Sequence, residues 1–136
     1  MANKLRRLTA SMMGLPRWVQ AWLAILLGTN MAAFAFLDTR VGIWTAAALV
    51  VVAALNLPMM FIQGGLTRLL SLPHFVWLPL MPYLYLNLFG SSPLPPGGAR
   101  VLASAVLAVN SISLLFDVLE VFRWCKGRRE VLGLAD

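Results

Sequence analysis

One cysteine, one histidine and five acidic residues are all that this 136-residue chain offers to several kinds of chemistry. A lone Cys125 excludes an intrachain disulfide and any cysteine-based metal cluster. A lone His74 excludes bis-histidine haem ligation within the chain. There is no glycine-rich phosphate loop followed by lysine, no H-E-x-x-H and no G-x-S-x-G. The apolar runs contain no lysine, so a retinal Schiff base is excluded. No polar segment between the runs is long enough for an extramembrane catalytic domain. Charge itself is scarce: 12% of residues are charged and 60% are apolar, against about a quarter and about half in soluble domains. Lipid is therefore the expected solvent.

The basic residues set the topology. The net charge is +6, yet the cations gather at the two ends of the chain and do not alternate with aromatics in a polar domain. That pattern argues against nucleic acid and for anionic headgroups. Four apolar spans are expected, at about 18–37, 41–62, 73–89 and 101–122. The first follows a basic leader (Lys4, Arg6, Arg7, Arg17), with Pro16 suited to a first helical turn. Ala33 and Ala35 have the spacing of a signal-peptidase site, and the segment reads as a retained signal anchor. The short link Asp38-Thr39-Arg40 forces the first two spans into an antiparallel hairpin. Pro58 kinks the second span and Gln63-Gly64-Gly65 ends it. Leu66–Leu72 reads as a short amphipathic turn around Arg68.

The third span carries Pro73, Pro79 and Pro82 and is short. It is either a kinked crossing or a re-entrant hairpin buried against protein. Charge favours the crossing. With both termini in the cytoplasm, nine cations lie inside (Lys4, Arg6, Arg7, Arg17, Arg68, Arg123, Lys126, Arg128, Arg129) against Arg40 and Arg100 outside. The expected fold is thus an all-α, single-domain, four-helix transmembrane bundle in an inner membrane. Trp18, Trp22, Trp44, Trp77 and Trp124 read as interfacial anchors.

The acids inside the fourth span are the sharpest lead. Asp117 and Glu120 lie in a run long enough to cross a bilayer, where an acid at the centre costs roughly 2.5–3.5 kcal/mol. Asn110, Ser113, Asp117, Glu120 and Trp124 step by three or four and share one helical face. That stripe is expected to face protein. Two carboxylates one turn apart disfavour joint ionisation. Arg68, His74 and Arg123 are the candidate counter-ions, and His74 after Pro73 also reads as a capping or interfacial residue. Three uses remain open: an ion-pair lock, a proton or cation relay through Asp117, Glu120 and His74, or a contact with another subunit. Asn30, Asn56, Asn87 and Asn110 place one amide in each span as interhelical glue at differing depths.

Small residues recur every four positions at Ala24-Gly28-Ala32, Gly42-Ala46 and Ser104-Ala108, as helix-packing faces do. The sequence names no cofactor and requires no metal. The expected partners are membrane lipids and either further copies of the chain or a larger membrane complex. The leading expectation is a non-enzymatic accessory or scaffold subunit. The alternatives are a small oligomeric transporter or channel using Asp117 and Glu120, and a lipid- or quinone-binding protein or intramembrane enzyme with a pocket near Pro79, Pro82, Tyr83 and Tyr85.

Overall fold

A computed structural model describes residues 2–134. Within them the secondary structure is helical throughout. Helix α1 is Ala2–Met13, α2 is Arg17–Met31, α3 is Arg40–Gln63, α4 is Leu80–Phe89 and α5 is Gly98–Cys125. Two stretches are 3-10 helices: Ala32–Phe36, which continues α2, and Arg68–Trp77, which precedes α4. Three segments, Arg17–Phe36, Arg40–Gln63 and Gly98–Cys125, are long and apolar enough to cross a membrane. The pair Arg68–Trp77 and Leu80–Phe89, bent by 44°, makes a fourth if it counts as one span.

Local chemistry accounts for the helix ends. Thr39 caps α3: its hydroxyl accepts from Gly42 N at 3.0 Å and donates to Phe36 O at 2.8 Å. Gly42 lets the chain turn back tightly there, since a Cβ on it would sit 1.9 Å from Phe36 O. Gly64 ends α3 in the left-handed conformation, φ 71°, which costs glycine nothing. Pro79 caps α4, and Pro82 falls in its first turn, where the missing N–H has no intrahelical partner to lose. Proline thus sits at the bend of the pair without breaking α4.

Several expectations move. Lys4, Arg6 and Arg7 of the basic leader lie on a helix of their own, α1, while Arg17 begins α2. The amphipathic turn expected over Leu66–Leu72 and the start of the third span are one 3-10 segment, Arg68–Trp77. The last helix begins at Gly98 and runs to Cys125, beyond both expected bounds. Trp77 is not an interfacial anchor. It is 1% exposed, in a core with Val41, Val52, Leu84, Leu102 and Val106. The bent pair is therefore wedged between α3 and α5. Outside that core, Ile25, Leu27, Val50, Leu115, Phe116 and Leu119 stay exposed, an apolar surface of the kind soluble monomers avoid.

At the end where α3 stops, three segments meet on Ser11 of α1. Its buried hydroxyl accepts from Leu66 N at 3.0 Å and donates to Leu132 O at 2.6 Å. Leu132 N in turn donates to Leu66 O at 2.7 Å. The chain beyond α5 is thereby tied to α1 and to the loop after α3.

Candidate functional site

Asn110, Ser113 and Asp117 on α5 are buried and Glu120 is half-buried. Their spacing puts them on the face that α5 turns toward α2 and the 3-10 segment. Three polar layers follow one another along this face.

Asn30 of α2 and Asn110 form the first layer. Asn30 Nδ2 donates to Asn110 Oδ1 at 2.8 Å, and Asn110 Nδ2 returns a bond to Asn30 Oδ1 at 2.9 Å. Both residues are fully buried. Asn30 Nδ2 also donates to Leu26 O of its own helix at 2.9 Å. The two amides therefore share one level, which corrects the differing depths expected from counting along the spans.

The second layer is built on Asp117. Its Oδ1 lies 3.0 Å from His74 Nδ1, and its Oδ2 accepts from Ser113 Oγ at 3.2 Å. The His74 ring stacks on Trp77, with centroids 4.6 Å apart and planes 7° from parallel. His74 Nε2 lies 3.4 Å from Asn56 Nδ2 of α3. His74 is therefore not a helix cap. The 3-10 segment delivers it sideways into the interface of α3 and α5.

Arg68 and Glu120 form the third layer. Arg68 Nε is 2.9 Å from Glu120 Oε2, an ion pair without hydrogen-bond alignment at that nitrogen, while Arg68 Nη1 donates to Glu130. Arg123 Nη1 donates to Glu120 Oε1 at 2.6 Å, one turn along α5. The two acids that looked like competitors thus turn to different partners, Asp117 to His74 and Glu120 to two arginines.

Asn87 stands apart from these layers. Its Nδ2 donates to Tyr83 O within α4 at 2.8 Å, so it is an intrahelical back-bond and not an interhelical amide. The small-residue faces also divide. Gly42 and Ala46 are buried within the bundle, whereas Ala24 and Gly28 on α2, Ala32 at the start of the 3-10 stretch that continues it, and Ser104 and Ala108 on α5 are exposed.

Chemically, the hydrogen bonds of the middle layer can be satisfied in two arrangements of the ring protons. With neutral imidazole, Nδ1–H donates to Asp117 and Nε2 accepts from Asn56 Nδ2. With imidazolium, Nε2–H needs an acceptor. A rotated Asn56 amide supplies one, since Asn56 Oδ1 is buried without a partner. Two surface grooves among the described residues, one lined by Pro96, Arg100, Val101 and Ala105 and one by Trp44, Val51, Pro79 and Tyr83 among others, do not include His74, Asp117 or Glu120. Among the described residues no three His, Cys, Asp or Glu side chains come together as a metal site.

Glu130, outside the apolar segments, is held below the ordinary carboxylate value of 4.5, first by hydrogen bonding to its own backbone N–H and then by Arg68. A depressed carboxylate pKa stabilises the docked tail above its unfolded value, and the contribution is lost as pH falls through the folded value. Trypsin cleavage sampled by brief pulses at pH 7 and pH 4 is expected to cut after Arg128 and Arg129 faster at pH 4, relative to a control peptide. Glu130→Gln is expected to cut fast at both pH values. Equal relative rates for the unaltered protein at the two pH values contradict this.

The fold and these layers define an all-helical protein with three to four candidate membrane-spanning segments, joined through a buried polar stripe. No known protein family, curated protein or solved structure matches the chain.

Proposed function

We propose that this chain is a non-enzymatic membrane scaffold: a four-span accessory subunit, both ends cytoplasmic, that packs against other transmembrane helices. The observation that carries the reading is the contrast between its two kinds of face. Each acid of the stripe is matched by a side chain of the same chain, so the stripe serves as an internal lock. The helix-packing face of α2, in contrast, is left open. A Cβ built on Gly28 meets nothing within 4 Å. In lipid, such a small-residue face favours a neighbouring helix through close backbone approach. The contact of α1 with the tail through Ser11 and Leu132 supports a common side for the two ends, as does the surplus of cations at that side.

The test is purification in mild detergent with light scattering. The protein is expected to elute as an oligomer or with a partner. Gly28→Leu is expected to release a monomer of unchanged melting temperature, because the site is open in the isolated chain. A monomer that brings down nothing counts against the proposal.

The second reading is a small oligomeric transporter or channel with Asp117 as its proton or cation site. The buried, unpartnered Asn56 Oδ1 beside His74 favours it, since a relay needs a group that can change partner. Proteoliposome flux that vanishes in Asp117→Asn promotes this reading above the scaffold. Absence of flux, or flux unchanged in that variant, removes it.

A further inference from the structure

Between α3 and the bent pair lies an apolar groove of about 400 Å³, lined by Trp44, Ala48, Val51, Val76, Pro79 and Tyr83 among others. Its volume is within the range of small-ligand sites, and no side chain that lines it is charged. Arg40 stands one helical turn before Trp44. The series Arg40, Trp44, Ala47 or Ala48, and Val51 steps by three or four, so the arginine tops the stripe that forms one wall of the groove. Arg40 is exposed and makes no ion pair among the described residues; Asp38, the acid at this end of the bundle, also lies outside every ion pair.

We infer that this groove holds one acyl chain of an anionic phospholipid, with the phosphate on Arg40. The dimensions fit. Trp44 lies about 6 Å and Val51 about 16 Å below Arg40 along α3. An aromatic with a polar tip therefore falls just beneath the phosphate, at the depth where Trp and Tyr anchor to lipid. Ala47 and Ala48 keep the α3 wall low where the chain enters. Val51, Val76 and Pro79 present only hydrocarbon. A second groove, at the start of α5, is larger, about 610 Å³, but its Arg100 already donates to Leu94 O at 2.8 Å. Charge thus selects a lipid over an uncharged helix for the groove between α3 and the bent pair.

The inference rests on the membrane-spanning reading but not on assembly with a partner, and native mass spectrometry separates the two. The detergent-purified protein is titrated with phosphatidylglycerol and with phosphatidylcholine of the same chains. One phosphatidylglycerol is expected to be retained, with phosphatidylcholine bound at least fivefold more weakly, the scale of one arginine at an anionic headgroup. Arg40→Gln is expected to remove the headgroup preference. Ala48→Phe is expected to expel the lipid by filling the groove while Arg40 stays. Equal retention of the two lipids overturns the inference. So does a phosphatidylglycerol held unchanged in Ala48→Phe, which assigns it to the basic ends of the chain. A dimer that dissociates in Ala48→Phe overturns it in favour of a second copy in the groove. Arg40→Gln, at an exposed position, is the variant that reads binding without risk to the fold.

Discussion

Alanine in place of Asp117 is expected to lower the unfolding free energy by about 3 kcal/mol, because half of a buried, hydrogen-bonded pair is removed and the other half stays. The carboxylate serves two donors, His74 Nδ1 at 3.0 Å and Ser113 Oγ at 3.2 Å. Its side chain is 7% exposed and that of His74 is 16% exposed, so water reaches neither freely. Losing the acid also frees the ring that packs flat on Trp77 at the centre of the core. Asp117→Asn keeps an acceptor for His74 and is expected to cost about 1 kcal/mol, near the net worth of one hydrogen bond. The decisive measurement is a double-mutant cycle with His74→Phe, which preserves the stacking on Trp77. Reversible unfolding in micelles is expected to give a coupling of about 1.5 kcal/mol or more. Additivity within about 0.5 kcal/mol shows two independent residues and ends the lock interpretation.

The amide pair tests the same principle without charge. Asn30→Leu is expected to cost about 2 kcal/mol, more than the roughly 0.6 kcal/mol average of a hydrogen bond within a membrane. The excess arises because Asn110 is left buried and unpartnered, a penalty of about 1–3 kcal/mol. Asn110→Leu is expected to cost less, because Asn30 keeps its bond to Leu26 O. The double variant Asn30→Leu, Asn110→Leu is expected to recover about half of the summed loss, since two apolar side chains of similar size replace two bonded amides. A double variant as weak as the sum of the singles contradicts the reciprocal geometry of the pair.

Much of the framework is legible in the residues, and the reasons are local. Thr39 and Gly64 mark the ends of α3 by capping chemistry that acts within a few residues. The spacing of Asn110, Ser113 and Asp117 along α5 assigns them to one buried face. What escapes the sequence depends on how far one helix slides past another. Asn30 lies one α-helical step and then a 3-10 stretch from the end of its segment at Phe36, about 11 Å, whereas Asn110 lies about 18 Å from Gly98. Their meeting means that α5 projects farther than α2, and no periodicity encodes that offset. Trp77 shows a second limit. A tryptophan near a span end suggests an interface, yet a 3-10 segment with three residues per turn stacks it one turn above His74, inside the bundle. Asn87 shows a third, because an amide can bond its own helix as readily as a neighbour's.

The clasp at Ser11 has a consequence for biosynthesis. A ribosome releases this polypeptide from its first residue onward, yet the hydroxyl of Ser11 finds one of its partners only at Leu132. Residues 11 and 132 are 121 positions apart, so Ser11 can close first on Leu66 N and gains its second bond only after α5 has been made. A polypeptide that lacks Leu132 would keep the bond between Ser11 and Leu66 N and lose the second bond of the clasp.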